Sequence, residues 1–145
     1  MRVGLHTNNS PGNRQAVEYC RRVKPPFMKW LSPDAAIIRE CLVVSPNTRH
    51  IGRVVWGDQT HDARGRFNGR TLDAAREFKG LIAYWEGYNE HIGDQERPGV
   101  IRAFADAEVD FAKKMNAIGV GALIGGFSTG TLDDGKLEAF AAALD

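Results

Sequence analysis

Residues able to do chemistry crowd into one stretch, Tyr84-Trp85-Glu86-Gly87-Tyr88-Asn89-Glu90-His91: two carboxylates, an amide, an imidazole and three aromatic rings. Acid/base hydrolysis by paired carboxylates needs one group to protonate the leaving oxygen and a second to attack or to activate water. A glutamic acid that donates a proton near neutral pH needs a raised pKa, supplied by apolar neighbours or a nearby carboxylate. Tyr84, Trp85 and Tyr88 offer Glu90 that apolar surface. Glu86, Tyr88 and Glu90 alternate along the chain, so on an extended strand they share a face. Glu86 then lies one layer deeper than Glu90 and requires a cation, Lys29 or Arg53. This reads as an ion pair rather than as catalysis. A nucleophile and an acid/base that act together stand about 5–5.5 Å apart across a cleft, a poor fit to two residues of one strand.

The stretch follows the apolar run Leu81-Ile82-Ala83. Continuous apolar runs are the mark of buried parallel strands, and in βα-barrels chemistry gathers where such strands end. Here Trp85-Glu86-x-x-Asn89-Glu90 resembles the fourth-strand motif of the clan A glycoside hydrolases, which are (β/α)8 barrels. The resemblance implies that Glu90 is the general acid/base of a retaining mechanism and that Asn89 holds the 2-hydroxyl of the sugar. It places the nucleophile, a glutamate, at the end of a seventh strand, and so outside this chain. The Gly-Gly-Phe-Ser-Thr-Gly-Thr turn at 125–131 also resembles barrels that carry this motif.

The elements that must position these residues read as βα five times over. Strand 1 is Val3–Leu5, with His6 opening a loop of turn-forming residues. Helix 1 carries Ala16, Val17, Cys20 and Val23 on one face and stops at Pro25-Pro26. Strand 2 is Phe27–Leu31, and Ser32-Pro33-Asp34 predicts a helix start with a serine cap. Helix 2 runs to Ser45-Pro46. Strand 3 is His50–Trp56. Residues 63–70 read as irregular, with helix 3 spanning Thr71–Phe78 and capped by Thr71. Helix 4 spans Pro98–Ala117 with a stripe that Glu108 interrupts, which predicts a solvated middle. Gly119 ends it. Strand 5 is Val120–Phe127, and helix 5 runs from Asp134 through Asp145.

Such alternation implies an α/β domain with a parallel sheet and right-handed crossovers. We read residues 1–145 as a single barrel-type domain, a parallel (βα)5 portion of a TIM barrel truncated on its C-terminal side, since a closed barrel takes about 250 residues. The alternative is an open doubly wound five-stranded sheet. That fold favours a glycine-rich phosphate loop after strand 1, and His6 to Asn13 contains none. In the barrel reading His6, Trp30, Trp56, Asp58, Glu86 and Tyr88 fall near strand ends, where they line a substrate cleft with Asn89. Rings at those positions can stack on sugar C–H surfaces, although each one taken singly is as well explained by packing. Lys29 suits an ion pair better than a Schiff base.

Composition is that of a globular protein of 145 residues with a formal net charge of +1. Acids and bases are interspersed, which argues against nucleic acid as the partner. No apolar run approaches a membrane span, and the N-terminus lacks a leader pattern. Cys20 and Cys41 fall in different helices and read as reduced and half-buried. Without H-x-H or H-E-x-x-H spacing, no metal is expected, and no cofactor. The expected partner is a carbohydrate, together with self-association through the open sheet edges that an incomplete barrel exposes.

Overall fold

The computed structural model describes residues 5–7, 13–55, 64–88, 97–126 and 134–144, apart from the side chains of 64–68 and 134. Strands β1 (Leu5–Thr7), β2 (Phe27–Leu31), β3 (Arg49–Arg53), β4 (Tyr84–Glu86) and β5 (Gly121–Leu123) alternate with helices α1 (Arg14–Val23), α2 (Ala35–Val44), α3 (Arg64–Glu77), α4 (Pro98–Ala117) and α5 (Asp134–Ala142). All five strands are parallel in one sheet of order β1-β2-β3-β4-β5. The fold is therefore the α/β class read from the sequence. Right-handed crossovers between sequential neighbours return on the same side each time, so a sheet in chain order gathers its helices on one face. Cys20 of α1, Ile38 of α2, Ala75 of α3 and Phe111 of α4 duly meet Met28, Trp30 and Trp85 in one core. Strand order nowhere reverses, as it does at the switch point of a doubly wound sheet. This winding is the one a barrel segment uses. No helix among the described residues is long and apolar enough to cross a membrane.

Strand register explains how the covered face packs. One lateral row runs Thr7, Trp30, Gly52, Trp85, Ala122, one residue from each strand. Two indoles alternate with three small residues, and both indoles are closed to solvent. A Cβ on Gly52 would stand 2.8 Å from the Trp85 ring, so glycine there makes room for the indole. The row beneath includes Leu5, Met28 and His50. Trp30 Nε1 donates to His50 Nδ1 at 2.8 Å, and burial pushes the His50 pKa down to about 4. The opposite face has no such cover: Phe27 and Leu123 are exposed, while Lys29, Leu31, Ile51, Arg53, Tyr84 and Glu86 are half-buried.

Several element ends differ from expectation. His6 lies inside β1, which runs to Thr7, and not in the loop after it. The cap of α2 is Asp34, whose carboxylate accepts from Ala36 N at 2.9 Å and Ile37 N at 3.3 Å. Ser32 instead takes a left-handed φ of 52° and donates its N–H to Arg53 O, which keeps Pro33 out of the helix. Helix α3 begins at Arg64, so Thr71 is a buried interior residue and no cap. A glycine inside a helix costs only about 1 kcal/mol and arginine is a good helix former, so the Gly- and Arg-rich segment stays helical. Strands β3 and β5 stop at Arg53 and Leu123, β4 starts only at Tyr84, and α5 ends at Ala142. Glu108 is fully buried, so the middle of α4 is not solvated. Cys20 and Cys41 are free, as read, but fully rather than half buried. The two thiols touch across α1 and α2, and both that hydrogen bond and burial push the Cys41 thiol pKa up.

Two outcomes follow. Gly52→Ala displaces the Trp85 ring and lowers unfolding stability by about 1–3 kcal/mol in urea titrations. Neutral His50 is the folded form, so its contribution is complete above the unfolded value of 6.5 and is lost as pH falls through about 4. Stability measured at falling pH therefore declines over that window by up to about 3 kcal/mol. His50→Gln, which keeps an acceptor for Trp30, removes most of that slope.

Candidate functional site

Alternation along a strand sends odd and even positions to opposite faces. On the uncovered face this brings together one ionisable side chain from each of four neighbouring strands: His6 of β1, Lys29 of β2, Arg53 of β3 and Glu86 of β4. His6 and Lys29 are register partners. Arg53 and Glu86 stand one step beyond the Gly52–Trp85 pair. Lys29 Nζ lies 2.6 Å from Glu86 Oε2, and Arg53 Nε lies 3.9 Å from the same oxygen. These side chains retain only 25, 15 and 12% exposure for Lys29, Arg53 and Glu86. The ion pair expected of Glu86 is thus formed, with both of the cations considered for it. That pairing also accounts for Lys29 without a Schiff base.

Among the described residues two cations share one carboxylate. Arg53 is the less satisfied of the two. A separation of 3.9 Å is an ion pair but exceeds hydrogen-bond range. Its buried Nε makes no hydrogen bond among the described residues. His6 reports the same field. Burial first, then Lys29 and Arg53, push its pKa below the usual range, against an opposing pull from Glu86. That direction favours the neutral imidazole, which can donate from one nitrogen and accept at the other.

Two expected site residues lie elsewhere. Trp30 sits on the covered face at 1% exposure, bonded to His50. It is a core residue and offers no ring to a ligand, because its position has the opposite parity to Lys29. Tyr88 is also buried, in a second core with Ile101, Phe104, Ala105 and Phe140. Its ring meets Phe104 edge-on at 5.9 Å. Strand β4 ends at Glu86, so the alternation that would have set Tyr88 beside Glu86 does not extend to it. Asn89, Glu90, Trp56 and Asp58 lie outside the described residues.

Glu108 is the buried residue that sequence reasoning placed wrongly. From the middle of α4 its carboxylate accepts from Gly125 N at 3.0 Å and approaches Tyr88 N at 3.5 Å. These amides follow β5 and β4, the strand ends where a barrel keeps its chemistry. A Cβ at Gly87 would fall 2.7 Å from Glu108 Oε1, so glycine lets the acid come this close. The signal was present as a lone acid in an apolar stripe. Such a residue either faces water or is bound by buried donors.

Among the described residues, no three His, Cys, Asp or Glu side chains gather as ligands for a metal ion. The Lys29–Glu86–Arg53 cluster is accessible to a double-mutant cycle. Glu86→Gln leaves two adjacent cations without their carboxylate and costs about 1–3 kcal/mol in chemical denaturation, between the exposed and fully buried limits. Adding Lys29→Met recovers part of that loss. No protein-family model matches this chain, and no curated protein matches its sequence.

Proposed function

We propose that this chain is a barrel-type unit of the glycoside hydrolase kind, which holds a sugar over the uncovered face of its sheet and uses Glu90 as general acid/base. The observation that carries this reading is the convergence of His6, Lys29, Arg53 and Glu86 from four successive strands onto one face. Glu90 follows Glu86 by four residues, on the segment leaving β4. In this reading the ion pairs keep Glu86 charged and in place, while His6 and the two cations supply donors to sugar oxygens. Asn89 holds the 2-hydroxyl, and Glu90 protonates the departing oxygen.

A retaining mechanism needs a second carboxylate opposite the first. Among the described strand residues Glu86 is the single acid, and both its neighbours are cations bound to it. In this reading the nucleophile lies outside the described strand residues: among the positions not described (Asp58 is one carboxylate there), in further sequence or on a second subunit. The same observation favours a second reading, in which the chain binds carbohydrate without cleaving it. Self-association belongs to either reading. Strands β1 and β5 stand at the sheet edges, and Phe27 and Leu123 leave apolar surface on the open face, the conditions under which parallel sheets recruit further strands.

Glu90→Gln, made in the full-length protein with the segment or subunit that supplies the nucleophile, separates the readings. If Glu90 is the acid/base, this variant loses about 10²–10⁴ in turnover of glycosides with poor leaving groups, while sugar affinity stays unchanged. An unaltered rate removes Glu90 from the mechanism. Sugar binding by that same full-length protein with no turnover of any glycoside leaves the binding reading.

A further inference from the structure

We infer that the ligand of the Lys29–Arg53–Glu86 face is a sugar that carries a carboxylate, such as a uronate, rather than a neutral sugar. This rests on the carbohydrate reading above and narrows it to a substrate class.

Three observations lead there. The first is stoichiometry: among the described residues, Lys29 and Arg53 both converge on one oxygen of Glu86, so this cluster holds two cations to one carboxylate. All three side chains are largely buried, and a charge left uncompensated where water is scarce is costly. A bound anion supplies the missing partner. A neutral sugar leaves the imbalance as it was.

The second is the state of Arg53. A guanidinium carries five N–H donors in a planar fork that matches a carboxylate with two parallel hydrogen bonds. Here the fork is held by β3, with its Nε buried and without a hydrogen bond among the described residues, and its one ion pair is too long to be a hydrogen bond. Lys29, by contrast, stands in close ionic contact with Glu86 at 2.6 Å. The division of labour is then simple: Lys29 neutralises Glu86, and Arg53 is left for the ligand.

The third is His6, the register partner of Lys29. Partial desolvation first, then Lys29 and Arg53, lower its pKa against the pull of Glu86, and this favours the neutral form. A neutral imidazole beside a cationic centre suits a ligand with hydroxyls around a single carboxylate, because the imidazole meets oxygens as donor or acceptor without adding charge.

The test compares galacturonate with galactose and glucuronate with glucose, with acetate as a carboxylate lacking a sugar, by titration of the protein followed by NMR or calorimetry. The expected result is that each uronate binds about tenfold or more tightly than its neutral parent. Acetate should bind more weakly than either uronate. Arg53→Gln should bring uronate and neutral sugar to within about twofold of each other, and Arg53→Lys, which keeps the charge but not the fork, should retain part of the preference. Should Arg53→Gln fail to fold by circular dichroism, the parent protein still decides, since a preference made by charge shrinks as salt rises. Equal affinity for acidic and neutral sugars overturns the inference and leaves the carbohydrate reading standing. Acetate binding as tightly as the uronates, with no neutral sugar bound, overturns both, as does the absence of any binding.

Discussion

Two indoles lie in a single lateral row of the covered face, each set between small residues of the adjoining strands. Trp30 has Thr7 and Gly52 beside it, and Trp85 has Gly52 and Ala122. The sheet can bring its strands to normal spacing with rings of that size on one side only if the large residues alternate with small ones. A slip of one residue would carry every side chain of a strand to the other face, putting an indole where Lys29 or Glu86 now stands. Packing on the helix side therefore dictates which charges meet on the other side. The ionic cluster needs no code of its own beyond parity.

This dependence explains which parts were legible in advance. The order of elements was readable, because apolar runs and helical stripes are long-range patterns that single residues do not disturb. Strand β2 and helix α4 were read at their observed limits. The pairing of Glu86 with Lys29 and Arg53 was readable too, since an acid on an inward strand position has few ways to be satisfied. Local ends were less so. Ser32-Pro33-Asp34 contains two good cap residues, and the choice of Asp34 was made by a tertiary contact, the Ser32 N–H reaching Arg53 O. Helix α3 began early because nothing in its Arg- and Gly-rich start forbids a helix.

Trp30 and Tyr88 show the limit of reading aromatic residues as ligand platforms. Position near a strand end does not say which face a ring occupies. Trp30 was assigned by nearness to the end, whereas parity with Met28 and His50 would have placed it in the core. Tyr88 was assigned by parity, but the strand had already finished. The charged residues fared better, because burying one leaves a debt that must be met by a visible partner, while a buried ring has no such requirement.

The buried carboxylate of Glu108 has a consequence for how the strand exits move. By taking an amide from the segment after β5 and drawing in another from the segment after β4, it fastens two separate strand exits to the same turn of α4. Those exits are then not independent flaps. Whatever shifts the helix carries Tyr88 and Gly125 along together, so the spacing between these two backbone sites is set from behind the sheet.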